Sequence, residues 1–286
     1  MTSLFWMVGG IGALPFAAYA GMHSVRRRMR RLRSDHSRRP ELWERFYAVD
    51  WGETATNNYG FAPAAGCHPQ RFQHQMYREL LAKLEESGRV RPRMRMLEVS
   101  CGRGGGLDAF LSHASVAIDG TGLDVAPSAV AFCRRTYERD GLNFVIGSAL
   151  DLPFADDSFD VLLNVEASND YADRKRFFQE VSRVLKPGGT FLYTDSFRTH
   201  RVAEMRRQLS EAGLAADFHD ITRNVLEACR ADTPRRRQVL RRHAPLTGRL
   251  LLSRQLANYA GLEGSQKYRA FADGRRTYLM TAAVAG

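Results

Sequence analysis

Leu97-Glu98-Val99-Ser100-Cys101-Gly102-Arg103-Gly104-Gly105-Gly106 is the stretch whose reading decides the fold. Met94–Val99 reads as a strand and Gly104–His113 as a helix, so the glycines fall where a strand turns into a helix. Glycine at such a turn lets the backbone approach a ligand closely. In open α/β sheets, ligands bind beyond the carboxyl ends of the strands, at the topological switch point. Taken alone, the loop fits dinucleotide binding, and equally a turn that holds no ligand.

Working outward, strand and helix alternate. Ala117–Asp124 is predicted as a strand, Pro127–Arg139 as a helix with proline in its first turn, and Leu142–Ile146 and Phe159–Val165 as strands. Asp173–Leu185 reads as a helix burying Phe177, Phe178, Val181, Val184 and Leu185. Lys186-Pro187-Gly188-Gly189 is expected to stop it before a strand at Thr190–Thr194. This order predicts an α/β fold with helices on both faces of a mostly parallel sheet. Residues 41–50 read as a short aromatic helix, 51–70 as a loop and 71–87 as a helix. The expected organisation is a lid over 41–90, a ligand-binding core over 91–197, a helical substrate cap over 198–260 and closing strands over 261–286. Lys267–Ala283 is expected to form a hairpin.

Three neighbours narrow the choice of ligand. Glu98 sits inside the end of the first strand, where an acid would repel a pyrophosphate. It suits a ligand carrying an ammonium and a sulfonium. Asp124 ends the second strand, about 20 residues past the loop, where a carboxylate accepts both hydroxyls of a ribose. The turn from Gly147 to Phe154 can present a side chain and an amide to adenine.

With these features in place, the chain resembles the class I S-adenosylmethionine-dependent methyltransferases of the domain 11 type. The resemblance rests on LEVSCGRGGG, TGLDVAPSAV, LPFADDSFDVLLNVEAS and EVSRVLKPGG, in family order over about residues 94–195. It implies a Rossmann-like fold with a seven-stranded sheet and S-adenosylmethionine as co-substrate. It places the methionine end of that co-substrate near Glu98, Ser100, Gly102 and Gly104, and the ribose on Asp124 with Val125 flanking the adenine. The family usually has an acid where Ser148 stands, and Ala149 is expected to carry part of the adenine contact through its backbone. Asn164 and Val165 are expected beside the sulfonium. From about Trp43 to the end, the chain is also similar to the mycobacterial phthiotriol/phenolphthiotriol dimycocerosates methyltransferases, through LEVSCGRGGG, LNVEAS and the pattern Tyr268, Gly274, Tyr278. That likeness implies a hydroxyl on a hydrophobic small molecule as acceptor. A carbon acceptor of terpenoid, sterol or quinone type is the alternative.

Methyl transfer from a sulfonium is an in-line displacement, helped by a base when the nucleophile is an alcohol. Glu166 stands at the end of the fourth predicted strand, where the methyl is expected to point. The similar lipid enzymes place a histidine after EAS. Here Asn169-Asp170-Tyr171 follows, which puts a histidine base in doubt and leaves Asp170 as a candidate beside Glu166.

Composition sets the outer limits. The chain has 286 residues, 44% of them hydrophobic, and four cysteines without zinc spacing, so neither disorder, a disulfide scaffold nor a structural zinc is expected. No metal is expected at the site. Net charge is +11, but Arg26–Arg39 alone contributes eight arginines against one acid. Met1–Val25 carries no Asp, Glu, Lys or Arg, and Leu4–Met22 is about long enough to span a hydrocarbon core. Basic residues after an apolar run predict a membrane anchor with the catalytic domain facing the cytosol. A second cluster, Arg235, Arg236, Arg237, Arg241 and Arg242, could contact phosphates, but no stacking aromatics interleave with it. Nucleic acid is therefore not expected as a partner.

Overall fold

A computed structural model describes residues 39–286 apart from 245, 247, 248 and 250–252. The predicted anchor over 1–25 and all but the last two residues of the basic linker expected over 26–40 lie outside the described residues. Among the described residues, no helix is long and apolar enough to cross a membrane.

Helix α1 (Arg39–Tyr47) and helix α2 (Arg71–Glu86) precede the sheet. Then follow β1 (Met94–Val99), α3 (Gly105–His113), β2 (Ile118–Asp124), α4 (Pro127–Thr136), β3 (Leu142–Ile146), β4 (Phe159–Val165), α5 (Arg174–Val184) and β5 (Leu185–Arg198). Helix α6 (Val202–Glu211), β6 (Leu214–Ala215), β7 (His219–Asp220), α7 (Thr222–His243), α8 (Ser253–Tyr259), α9 (Gln266–Ala272) and β8 (Arg276–Ala285) complete the described chain.

The strand order is β3-β2-β1-β4-β5-β8-β6, with β7 also on β8. The first five strands are parallel; β8 runs antiparallel to β5, β6 and β7. Strands are added to one side of β1 up to β3 and to its other side from β4 onward, which puts the switch point between β1 and β4, at the glycine loop. One face packs Met96, Leu163 and Met280 against Leu80 of α2, Phe110 of α3 and Val225 of α7. The other packs Leu97, Leu162 and Phe191 against Phe177 and Phe178 of α5 and Met205 and Leu209 of α6. The alternation along β1 sends Met96 and Leu97 to opposite faces, as the period of two requires.

Three expectations are corrected. The sheet has eight strands, not seven, because β6 and β7 arise in the region read as a helical cap. Strands of two residues have no periodicity to read; pairing with β8 alone defines them. Lys186-Pro187-Gly188-Gly189 does stop α5, but β5 begins at Leu185 and accommodates it. The register against β4 shifts there, and Gly188 has a φ of +73°. The stretch is an irregular strand entry rather than a gap. Finally, residues 267–283 are not a hairpin. They hold most of α9, a turn at Gly274 and most of β8, which pairs with β5 over nine positions from Thr190↔Val284 to Arg198↔Arg276.

Candidate functional site

The glycine loop owes its shape to left-handed backbone and to what presses on it. Ser100, Gly102 and Gly104 have φ of 61°, 56° and 75°. A Cβ on Gly102 would lie 2.5 Å from the Tyr47 hydroxyl, so α1 closes directly over the loop. Gly106 is tighter: a Cβ there would sit 1.9 Å from Cζ of Tyr77. Its lack of a side chain lets Tyr77 pack against α3.

Asp124 braces this loop. Its two carboxylate oxygens accept hydrogen bonds from the amides of Gly102 at 2.8 Å and Ala126 at 2.9 Å. Burial raises its pKa, and those amides oppose the rise. Each carboxylate oxygen can still accept a further donor. Glu98 lies behind the loop and is 1% exposed. Oε1 accepts from the Tyr77 hydroxyl at 2.8 Å, while Oε2 has no partner. Burial pushes its carboxyl up to about 8, against the Tyr77 hydrogen bond. Asn164 donates to the Val99 carbonyl and to the Tyr171 hydroxyl, both at 2.9 Å, and its own Oδ1 is unpartnered. Tyr171 also meets Ser100 Oγ at 2.7 Å, joining the loop to the segment after β4.

Two cavities open beyond the carboxyl ends of the strands. The first is lined by Ser100, Asp124, Val125, Ser148, Ala149 and Val165 together with Tyr171. Those are six of the ten residues expected to hold the co-substrate. The other four, Glu98, Gly102, Gly104 and Asn164, stand behind its wall. Ser148 Oγ accepts the amide of Leu150 at 3.1 Å and can still donate its proton. A ligand with a ribose and an adenine fits this set, since Asp124 and Ser148 reach the cavity with hydrogen-bonding capacity to spare, while the unpartnered oxygens of Glu98 and Asn164 lie buried behind its wall.

The second cavity runs beneath α1 and the cap, among Trp43, Phe46, Trp51, Tyr59, Leu240 and Tyr259. Trp43, Tyr47, Asn57, Glu166 and Asp170 line both cavities and form the partition between them. Phe46 packs on Trp51 at 4.9 Å and Tyr259 at 5.0 Å between ring centroids, so the roof is aromatic.

Glu166 occupies the partition in a left-handed conformation, with φ of 53°. Such a conformation costs a non-glycine residue about 1–2 kcal/mol. Its Oε1 accepts from the Tyr59 amide at 2.5 Å and from the Tyr278 hydroxyl. Burial raises its carboxyl to about 7, partly offset by those two donors. Asp170, the other candidate base, is paired with Arg39 at 2.7 Å and has a half-exposed side chain. It ties α1 to the segment after β4. Among the described residues, no histidine lines either cavity. Burial and neighbouring cations bring His74, stacked on His68, down to about 4.

Several site residues escaped sequence reading. Tyr47 and Trp43 belong to the aromatic helix seen in the sequence, but only packing shows that they roof the loop. Asp195 was not singled out; it is 1% exposed and accepts from Ser168 Oγ at 2.6 Å and from the amides of Asn169 at 3.1 Å and Ser196 at 2.6 Å. It thereby fixes the segment carrying Glu166. The basic cluster on α7 is partly internal. Arg235 and Arg236 both bind Asp232, and Arg236 also donates to the carbonyls of Tyr59 and Ala260, each at 2.7 Å.

A doubly wound sheet, a left-handed glycine loop braced by an acid and a polar cavity at the switch point define a Rossmann-like S-adenosylmethionine-dependent methyltransferase. The methyltransferase-domain family matches residues 97–193. The chain is 31% identical over 233 residues to the phthiotriol/phenolphthiotriol dimycocerosates methyltransferase of Mycobacterium leprae, covering 81% of this chain and 83% of that one. It is 42% identical over 144 residues, half of each chain, to the fatty-acid O-methyltransferase of Mycolicibacterium smegmatis. Among solved structures, geranyl diphosphate C-methyltransferase from Streptomyces coelicolor superposes with a TM-score of 0.63 at 17% identity, over 86% of this chain and 97% of that one. The chain belongs to the family of the phthiotriol/phenolphthiotriol dimycocerosates methyltransferases.

Proposed function

We propose that this methyltransferase alkylates a hydroxyl oxygen of a hydrophobic small molecule: a lipid, a polyketide or another secondary metabolite. The observation that carries this reading is the partition. Glu166 faces both the polar cavity and the aromatic one, and its Oε2 makes no hydrogen bond among the described residues. S-Adenosylmethionine supplies an electrophilic methyl when bound. The chain does the rest by alignment and proton management. Asp124 holds the ribose, Ser148 and Ala149 the adenine, and Glu98 attracts the ammonium from behind the cavity wall. Tyr171 and Asn164 steady the wall next to the sulfonium. Trp43, Phe46 and Tyr259 exclude water from the acceptor. Glu166, with a carboxyl near 7, accepts the hydroxyl proton at Oε2. Asp170 holds the lid through Arg39. The names of the M. leprae and M. smegmatis relatives support an apolar acceptor.

The direct test is incubation with methyl-labelled S-adenosylmethionine and cell extract, followed by solvent partition and mass spectrometry. Label in an organic-phase ether supports the reading. A new carbon branch replaces it by carbon methylation, and label confined to protein or nucleic acid overturns it.

We also place the chain at a membrane, through residues 1–25 and the arginines that follow, with the catalytic domain on the cytosolic side. Removing residues 1–25 is expected to release the enzyme from sedimented membranes. Unchanged sedimentation refutes the anchor.

A further inference from the structure

Four cations line the acceptor cavity among the described residues: Arg103, Arg235, Arg236 and Lys267. Three are engaged elsewhere. Arg103 donates to the carbonyls of Gly52 and Thr54 and stacks on Phe132 at 3.7 Å. Arg235 and Arg236 bind Asp232. Lys267 differs from all of these. Its backbone amide is anchored to Asn258 Oδ1 at 3.0 Å, but its ammonium makes no hydrogen bond or ion pair among the described residues. Nζ lies 4.6 Å from the centroid of Tyr59, the residue whose amide holds Glu166. Lys267 is half-buried and lines the cavity, so its three ammonium donors are available to a ligand there. Burial accordingly lowers its pKa, with Glu166 and Asp195 opposing that shift.

We propose that Lys267 is a specificity-determining residue of this reaction, its ammonium binding the acceptor oxygen that receives the methyl. The inference rests on the function proposed above only as far as its acceptor is an oxygen, of a hydroxyl or a carboxylate. In the displacement an oxygen lone pair forms the new O–C bond. The S–C bond breaks with its electron pair remaining on sulfur. A hydroxyl passes its proton to Glu166, whereas a carboxylate has none to lose. In both cases negative charge resides or develops on the acceptor oxygen, where an adjacent ammonium stabilises it. An alkene carbon would instead become cationic and be repelled. Lys267 therefore selects oxygen acceptors.

The test separates the two sources of such an oxygen. Palmitic acid and cetyl alcohol are titrated into the full chain saturated with S-adenosylhomocysteine, and each is then offered with labelled S-adenosylmethionine. If a carboxylate is the source, Lys267→Met weakens palmitate binding about tenfold or more, the ordinary weight of a charge-assisted hydrogen bond. If a hydroxyl is the source, the variant leaves alcohol binding within about twofold and lowers kcat about tenfold. Lys267→Arg keeps the charge and recovers most of either loss, which a purely structural lysine would not show. Equal binding and turnover in native and Lys267→Met protein overturn the proposal. So does a native chain that binds neither compound, or a labelled product whose new bond is to carbon. S-Adenosylhomocysteine affinity, measured on the same variants, reports an intact fold. A native chain that labels an ether in extract while Lys267→Met loses nothing refutes the lysine and leaves the proposed function standing.

Discussion

Glu98→Gln is expected to make the protein more stable as pH rises, although it damages the co-substrate site. Glu98 is 1% exposed, one of its oxygens is unpartnered, and its carboxyl titrates at about 8 against an ordinary 4.5. For an acid whose pKa is raised on folding, the unfolded chain ionises first. Stability contributed by the neutral form is fully present below 4.5 and is lost as pH climbs towards 8. Each unit in that window costs about 1.4 kcal/mol, so the loss reaches about 3 kcal/mol by pH 7. In a chain of this size that is about 6 °C in Tm. Glutamine keeps an acceptor for Tyr77 and has no proton to lose. The assay is thermal unfolding of native and Glu98→Gln protein at matched pH from about 4.5 to 8. Subtracting the two curves removes titrations common to both, including that of Glu166. The gap is expected to widen in favour of the variant by several degrees over that range. A gap independent of pH refutes the raised carboxyl. The same physics bears on function. The incoming ammonium of the co-substrate makes the ionised form favourable, so native binding near neutral pH releases protons. Calorimetric heats that do not vary with the buffer's ionisation enthalpy contradict that assignment.

Asp124→Ala is expected to weaken S-adenosylmethionine binding about tenfold or more, through loss of the ribose contact and of the brace on the Gly102 amide; an unchanged calorimetric affinity removes Asp124 from the site. Glu166→Gln is expected to spare that affinity and lower turnover, and the native rate should rise with pH through about 7 as the carboxylate forms. A variant with full activity and the same pH profile excludes Glu166 as base. Gly106→Ala should lower stability by about 1–3 kcal/mol, since the new methyl must displace Tyr77 and disturb its hydrogen bond to Glu98; an unshifted melting curve refutes that packing.

Residues close together in the chain were the most legible. The loop from Leu97 to Gly106 and the acid at Asp124 announced a cavity at the switch point, because strand, turn and helix follow one another there and a fixed geometry follows from the order. Glu166 was legible for the same reason, as the end of β4 necessarily opens at the switch point. Asp170 was read from the same neighbourhood, yet its exposure and its pairing with Arg39 depend on a helix 131 residues away. The misread segments were those with weak or competing local signals. The two-residue strands β6 and β7 have none, and the alternating residues before Ala283 suit a hairpin as well as a helix followed by one strand.

By itself, then, the order of residues determined the doubly wound core and the class of co-substrate, since each depends on contacts between near neighbours in sequence. Only the tertiary structure decided what surrounds that ligand. Tyr47 meets Gly102, Tyr77 meets Glu98, Tyr278 meets Glu166, and Lys267 lies over Tyr59. These pairs are separated by 21 to 208 positions, and no pattern along the chain links their members. Packing of the lid and cap on the sheet brings them together, and the burial it imposes moves the carboxyls of Glu98 and Glu166 towards neutrality.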